Sequence, residues 1–462
     1  PAPEGRKPLD IVRPSLDARF GITPDVGLAA TLNPDFSQVE SDISDIRLNA
    51  RFAYAFPERR PFFLDGIDWF LDGNDTLYTR SMNAPLYGVK ISGREGPASI
   101  GALHVLDRAP LPSFNEAATP GFGEDDVAGA LASSTLARAR VDAFDGGFAG
   151  ITLADKRLLG GGGTHQLGGV DLEVPMGDRW VGSAALQHAF TGDRETSLWG
   201  TRQTGRVVRA SGVGTGAGVY FATNSPGYRN ELGYTTQSDR TDGGGWLDHT
   251  FTPAAGLVDT VTPNAWVDLV EEGNGDRFRT AGSGLEVRLN GVHLLAASAW
   301  AQAYRERGAL VDGYGAGGSY SGNLGAAVDV ALSTSAGRVV DYLRLEPALQ
   351  SNSSATLTLR PTAGIQTATT LTVNTFDPAT GPRQTSLLAR SRVNVQLSRA
   401  LGARWVLDGS RRTDRDPRLY NALLLTWLTN PGTAIWLGGS VVNGESGYEG
   451  SLFAKATLLL RP

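Results

Sequence analysis

From Ile46 to Phe56 apolar and polar residues alternate: Ile46, Leu48, Ala50, Phe52, Tyr54 and Phe56 fall on one side, and Arg47, Asn49 and Arg51 on the other. A period of two is the signature of a half-buried strand, and it predicts a strand here. The same grammar restarts many times. Tyr87, Val89 and Ile91 oppose Lys90, Ser92 and Arg94; Ala137, Ala139, Val141 and Ala143 oppose Arg138, Arg140 and Asp142; Val170, Leu172 and Val174 oppose Asp171 and Glu173. Further on, Leu285, Val287 and Leu289 oppose Glu286 and Arg288 up to Asn290-Gly291, a strong two-residue hairpin signal. Leu387, Ala389, Val393, Val395 and Leu397 oppose Arg390, Arg392, Asn394 and Gln396, and Leu452, Ala454, Ala456, Leu458 and Leu460 close the chain.

Two properties of these segments favour a membrane barrel over a soluble sheet. Their polar faces carry Arg, Lys, Asp and Glu of both signs, as a water-filled lumen requires, while their apolar faces are rich in Ala, Leu and Val, which lipid accepts. They also run about 9 to 12 residues, the length of a tilted membrane-spanning strand, against roughly 5 to 6 in soluble sheets. The predicted fold is all-β: a large antiparallel transmembrane β-barrel, with about 20 residues per strand and turn giving on the order of 16 to 20 strands. The competing reading is a soluble sandwich, propeller or solenoid, and the lack of a fixed repeat of roughly 40 to 50 residues counts against a propeller. Nine tryptophans, Trp69, Trp180, Trp199, Trp246, Trp266, Trp300, Trp405, Trp427 and Trp436, are spread along the chain where an interfacial girdle would put them.

Composition narrows the functional classes. The 59 glycines among 462 residues are too many for a helical protein. A net charge of −6 with no basic block argues against nucleic acid. With no Cys there are no disulfides, thiolate metal sites or Cys nucleophile. No charge-free apolar run reaches the roughly 20 residues of a membrane helix, so any crossing is by strands. The opening PAPEGRKPLD has neither an apolar run nor a cleavage site, so an export signal is expected to have been removed already.

One stretch does not fit the hairpin grammar. Residues 1–32 read as an irregular segment and a first strand, Gly27 to Asn33, and 73–462 as the remainder of the barrel. Between them, 33–72 holds an acidic loop, the alternating segment and a knot of charge and aromatics, FPERRPFFLDGIDWF. Pro57 and Pro61 exclude a regular strand in the knot, and Phe62, Phe63, Trp69 and Phe70 need covering. Such a segment is expected to fold inward as a plug, with packing under the barrel rim as the alternative. Its candidate residues are Asp35, Glu40, Asp42, Arg51, Glu58, Arg59, Arg60, Phe62, Phe63 and Asp65. Charges confined there need partners of opposite sign. Paired carboxylates drawn from Asp35, Glu40, Asp42, Glu58 and Asp65 could also serve glycoside hydrolysis, and clustered ones could hold Ca²⁺; a structural network is the favoured reading.

Weaker signals point to no site. His104, His165, His188, His249 and His293 lie on separate segments without metal-ligand spacing. Gly160–Gly163 lacks the Lys-Ser/Thr of a phosphate loop, and Glu124–Asp126 lacks the frame of a calcium loop. No cofactor or metal is expected.

NPDFSQVESD (Asn33 to Asp42) followed by FPERRPFFLDG (Phe56 to Gly66) resembles the signature of a family of uncharacterised bacterial outer-membrane barrels that usually follow a carbohydrate-binding-like domain of family 9. LFAKATLLLRP (Leu452 to Pro462) is similar to that family's closing strand. The resemblance implies an outer-membrane barrel module and a β-sandwich domain ahead of it. Because the signature begins at Asn33, a glycan-binding role of that domain does not carry over to these residues. Three functions follow as expectations: a plugged or gated pore for a small polar or glycan-type solute, a membrane anchor for an N-terminal carbohydrate-binding or carbohydrate-active domain, or a hydrolase using the carboxylates of 33–72. The first is favoured. The expected partners are the lipid bilayer, a small polar or glycan ligand, and an N-terminal β-sandwich domain or a periplasmic protein.

Overall fold

The computed structural model describes residues 14–34, 36 and 45–457, apart from 161, 211, 255, 431–432 and 445–446. Within them, 23 strands form one antiparallel sheet in which each strand pairs with the next in sequence, from Leu16–Gly21 through Val26–Leu32 and Pro85–Glu95 to Gly447–Thr457. The sheet curls back on itself: Lys455 on the last strand lines a cavity of about 110 Å³ together with Asp17, Ala18 and Arg19 of the first. With 23 strands among the described residues, each antiparallel to the next, the first and last run in the same direction. Twenty-three strands at ~4.8 Å spacing and a tilt of ~40° make a ring roughly 45 Å across.

The strand number exceeds the 16 to 20 expected. Most hairpin turns, such as 96–97, 307–308, 363–364 and 413–414, hold only two to four residues, so the repeat is shorter than the assumed one. Leu16–Gly21, placed in the irregular N-terminal segment by the sequence, is also a strand, paired from Leu16↔Leu32 to Gly21↔Gly27.

Register fixes the two faces. Leu332, Ala355, Leu371 and Ala389 are directly opposed on successive strands, and with them Leu359, Leu387 and Leu419 form an exposed apolar outer surface. The intervening residues Ser333, Ser354, Thr372 and Leu388 share the inner face. Long connections gather at one end of the barrel, the loop end: 33–84, 108–130 and 225–239. The opposite, turn end carries only short hairpins, the longest being 251–257. Trp180 and Trp427 face outward close to the turn end and Trp199 close to the loop end. Trp246, Trp266 and Trp300 do not join that girdle, because they sit mid-strand and point inward.

Candidate functional site

Residues 45–82 leave the second strand's loop and fold back into the barrel. Ile46–Phe56 is not a strand, contrary to its alternation: no residue in it pairs with a neighbouring strand, and Asn49 has φ 56°. The segment runs along the inside of the loop-end rim and touches one hairpin after another. Ser386 Oγ donates to the Ile46 carbonyl at 2.6 Å, and Leu48 is buried between Ala348 and Phe376. Asn49 Nδ2 donates to the Val340 carbonyl at 2.6 Å, while its Oδ1 accepts from the Tyr342 amide at 3.0 Å. Arg51 reaches Glu272 at 3.0 Å and stacks on Phe278, and the Tyr234 hydroxyl donates to the Ala53 carbonyl. Leu48 and Asn49 grip the wall in succession and Arg51 grips it again, whereas Ala50 and the run 53–55 are exposed, so the segment's alternation does not mark a wall side and an open side.

The knot that follows lies against the inner face of one side of the barrel. Pro61 opens a single helical turn, Pro61–Leu64, where its missing N–H is no loss. Gly66, at φ 63°, turns the chain into Ile67–Trp69. Phe63 and Phe70 then pack on Leu103, Leu136, Leu167 and Ala189, inward-facing residues of four strands between Ala98 and Gly192. Phe62 and Phe70 approach so closely that a side chain at Gly88 or Gly101 would overlap them. On these strands one inward row, Leu103, Leu136, Ala154, Leu167 and Ala189, is therefore apolar, and the next inward row toward the loop end carries Ser134, Lys156, His165 and Thr191.

Polar groups fasten the knot at fixed points. Arg60 Nη2 donates to Glu58 Oε2 at 2.6 Å and to the Thr79 carbonyl at 2.8 Å, and its Nη1 donates to the Met82 carbonyl at 2.6 Å. The Thr79 hydroxyl donates to the same Glu58 oxygen at 2.7 Å. Burial alone would raise the Glu58 carboxyl, but Arg60 and Thr79 outweigh it and hold the group below the usual glutamate range. Lys90, from the wall, donates to the carbonyls of Phe62, at 2.7 Å, and Asp65. Further along, Gln187 donates to Thr76 Oγ1 at 2.6 Å and accepts from the Tyr228 hydroxyl at 2.6 Å, joining the knot to the 225–239 loop. In that loop, burial raises the Glu231 carboxyl, against the pull of Lys156; the Lys156 ammonium donates to the Glu231 carbonyl at 3.0 Å.

The candidate residues therefore separate. Glu58, Arg60 and Phe63 share one buried cluster; Phe62 is half-buried on Gly88; Arg59 is half-buried beside them and gives its backbone N–H to Glu58. Arg51 lies apart, on the rim. Asp65 is exposed and faces Arg19 at 3.5 Å, whereas the Glu58 carboxylate is buried against Arg60. Asp35, Glu40 and Asp42 lie outside the described residues. Among the described residues, no three His, Asp or Glu side chains are grouped to hold a metal ion.

The consequence is an asymmetric lumen. Leu103, Leu136, Leu167, Gln187 and Ala189 are buried beneath the knot, whereas the inward-facing Ser333 and Asn352 are exposed. One side is filled and the other is open. A cavity of about 690 Å³ on the open side, near the turn end, is lined by Arg360, Gln366, Asn394, Gln396 and Arg404 among others. Sequence reasoning missed the 225–239 loop and its Tyr228, although the run SPGYRNELGYTTQSD does break the alternation. It also missed the inward leucines, which a local loss of alternation at Ala102-Leu103-His104-Val105-Leu106 could have flagged.

Residues 10–90 match a domain of unknown function (DUF5916), a stretch that contains both signature blocks and the knot. No curated protein matches the chain. Solved structures do. The siderophore receptor PirA from Pseudomonas aeruginosa aligns with a TM-score of 0.53 at 10% identity, covering 80% of this chain and 79% of that one. The unliganded ferric citrate transporter FecA aligns at 0.49 and 8%, covering 80% and 75%. At such identities the first likeness bears on the fold alone: the chain shares the large antiparallel barrel architecture of that receptor.

Proposed function

We propose that this chain is an outer-membrane barrel that passes a small polar or glycan-type solute, with residues 45–82 acting as a plug that occupies one side of the lumen and lines its loop-end mouth. The observation that carries this reading is the pairing of an apolar outer face with an inner face that is polar and exposed opposite the knot. A purely structural barrel would have no need of a hydrated half. The fastening of 45–82 at separate polar points along the rim and wall, beyond its apolar packing, supports a segment that can be released in steps. Short turns at one end and long loops at the other suit a periplasmic turn end and an extracellular loop end.

The test is single-channel conductance in a planar bilayer, comparing the intact chain with a variant lacking Pro57–Asp72 and with Glu58→Gln. A low or flickering conductance that becomes large and steady in the deletion, and intermediate in Glu58→Gln, supports a plugged pore. If all three are silent while folded, the barrel is an anchor and the transport reading fails.

A further inference from the structure

Three tryptophans occupy one continuous row across the inner wall. Register places Gly218 opposite Trp246, Trp246 opposite Trp266, Trp266 opposite Gly282, Gly282 opposite Trp300, Trp300 opposite Gly315 and Gly315 opposite Gly337. Each ring has a glycine beside it to lie on. A side chain at Gly218 would overlap the six-membered ring of Trp246, one at Gly282 the indole of Trp266, and one at Gly315 or Gly337 that of Trp300. The indoles are therefore laid along the wall, one face on glycine backbone and the other toward the lumen, and all three remain half-buried rather than covered.

The spacing is set by the sheet. Trp246 and Trp266 stand one strand apart, about 4.8 Å, and Trp300 two strands further, about 10 Å. Because strands tilt by roughly 40°, the row climbs the barrel axis as it goes round, rising roughly 20 Å over its seven strands. Arg206 lies over the Trp246 ring, 5.5 Å from its centre, so the open faces belong to Trp266 and Trp300. The neighbouring inward rows, one on each side, carry Asp268 and Gln302 toward the loop end and Asp248 and Asn264 toward the turn end. The Tyr220 hydroxyl is bonded to Asp268 and orients that carboxylate.

Flat aromatic faces bordered by hydrogen-bonding groups, mostly acceptors, match the chemistry of a pyranose ring, which offers an apolar face of C–H groups and an equatorial belt of hydroxyl donors. The carboxylates of Asp248 and Asp268 favour neutral hydroxyls over anionic ligands. Building on the pore reading above, we infer that the Trp246–Trp266–Trp300 row is a stacking rail for a neutral linear oligosaccharide, with Trp266 and Trp300 as its ring platforms.

The test is binding in detergent micelles, which needs no conductance. Tryptophan emission of the folded full chain is titrated with maltohexaose and cellohexaose, with mannitol as a hydroxyl-rich control without a ring face. The expected result is a saturable change with at least one oligosaccharide and none with mannitol. Trp266→Ala should weaken binding by about three- to tenfold, and Trp266→Phe, which keeps a ring and preserves folding, by less. Two results overturn the inference: no saturable change with either oligosaccharide, or unchanged affinity in both Trp266 variants and in Trp300→Phe. Neither bears on conductance, so the pore reading stands or falls separately.

Discussion

Glu58 and Arg60, two residues apart in the chain, close a buried ion pair at 2.6 Å in which each side chain is only 6 to 7% exposed. The pair is stitched to Thr79 and Met82, 19 to 22 residues further on, and so ties the start of the knot to the segment that follows it. Removing one partner leaves the other charge buried and alone. Glu58→Gln or Arg60→Leu is expected to lower the opening free energy of residues 57–82 by about 3 to 5 kcal/mol, whereas replacing both with apolar residues restores much of it. Hydrogen exchange of amides in 57–82 measures this, with the barrel strands as the unaffected reference.

Acid should act on the same pair. Its partners hold the Glu58 carboxyl below the usual value of 4.5, so the folded state favours the ionised form. The contribution is therefore full above about pH 4.5 and is lost as pH falls through the lowered folded value. Exchange in 57–82 should be unchanged between pH 8 and 6 once intrinsic rates are corrected, and should accelerate below pH 4; the opposite trend would show that another group controls the knot.

At the rim, Arg51 and Glu272 are 221 residues apart in sequence and bonded at 3.0 Å. A double-mutant cycle of Arg51→Ala and Glu272→Gln should give a coupling of about 1 to 3 kcal/mol, read from proteolytic release of 45–57. Additive effects would mean that the segment is held by its backbone contacts alone.

Leu48→Ala removes a side chain packed against Ala348 and Phe376. A cost of about 2 to 4 kcal/mol is expected, confined to local opening of 46–52, because the strands beneath are held by their own ladders. Thermal unfolding of the barrel should stay unchanged while exchange at Asn49 and Ala50 rises.

Leu371 and Thr372 are neighbours in sequence but lie on opposite faces of one strand. Leu371→Arg should destabilise insertion by about 2 to 4 kcal/mol, and Thr372→Arg, which faces the lumen, by less than about 1. Refolding into lipid vesicles separates the two; equal costs would contradict a lipid-facing outer surface.

Alternation carried much of the fold because a strand's period of two is local: one residue outward to lipid and the next inward to water needs no knowledge of distant chain. Val170 and Asp171, or Leu285 and Glu286, could be assigned to opposite faces by eye. The same reasoning misread Ile46–Phe56, whose contacts follow the hairpins it crosses along the rim, Leu48 and Asn49 both touching the wall, rather than its own period of two. Trp246, Trp266 and Trp300 were equally opaque as single residues, because tryptophan suits a membrane interface and a lumen wall alike.

By itself, then, the sequence determined that this is an antiparallel strand protein with one lipid-like and one water-like face, and that 33–72 stands outside the hairpin pattern. Tertiary structure alone decided the number of strands, the rim path of 45–57, the burial of Glu58 against Arg60, and the row that sets three indoles on glycines. The physical reason is separation: strand alternation is encoded between adjacent residues, whereas Asn49 meets Tyr342, Arg51 meets Glu272 and Trp266 meets Gly282 only after the sheet has curled and its register is fixed.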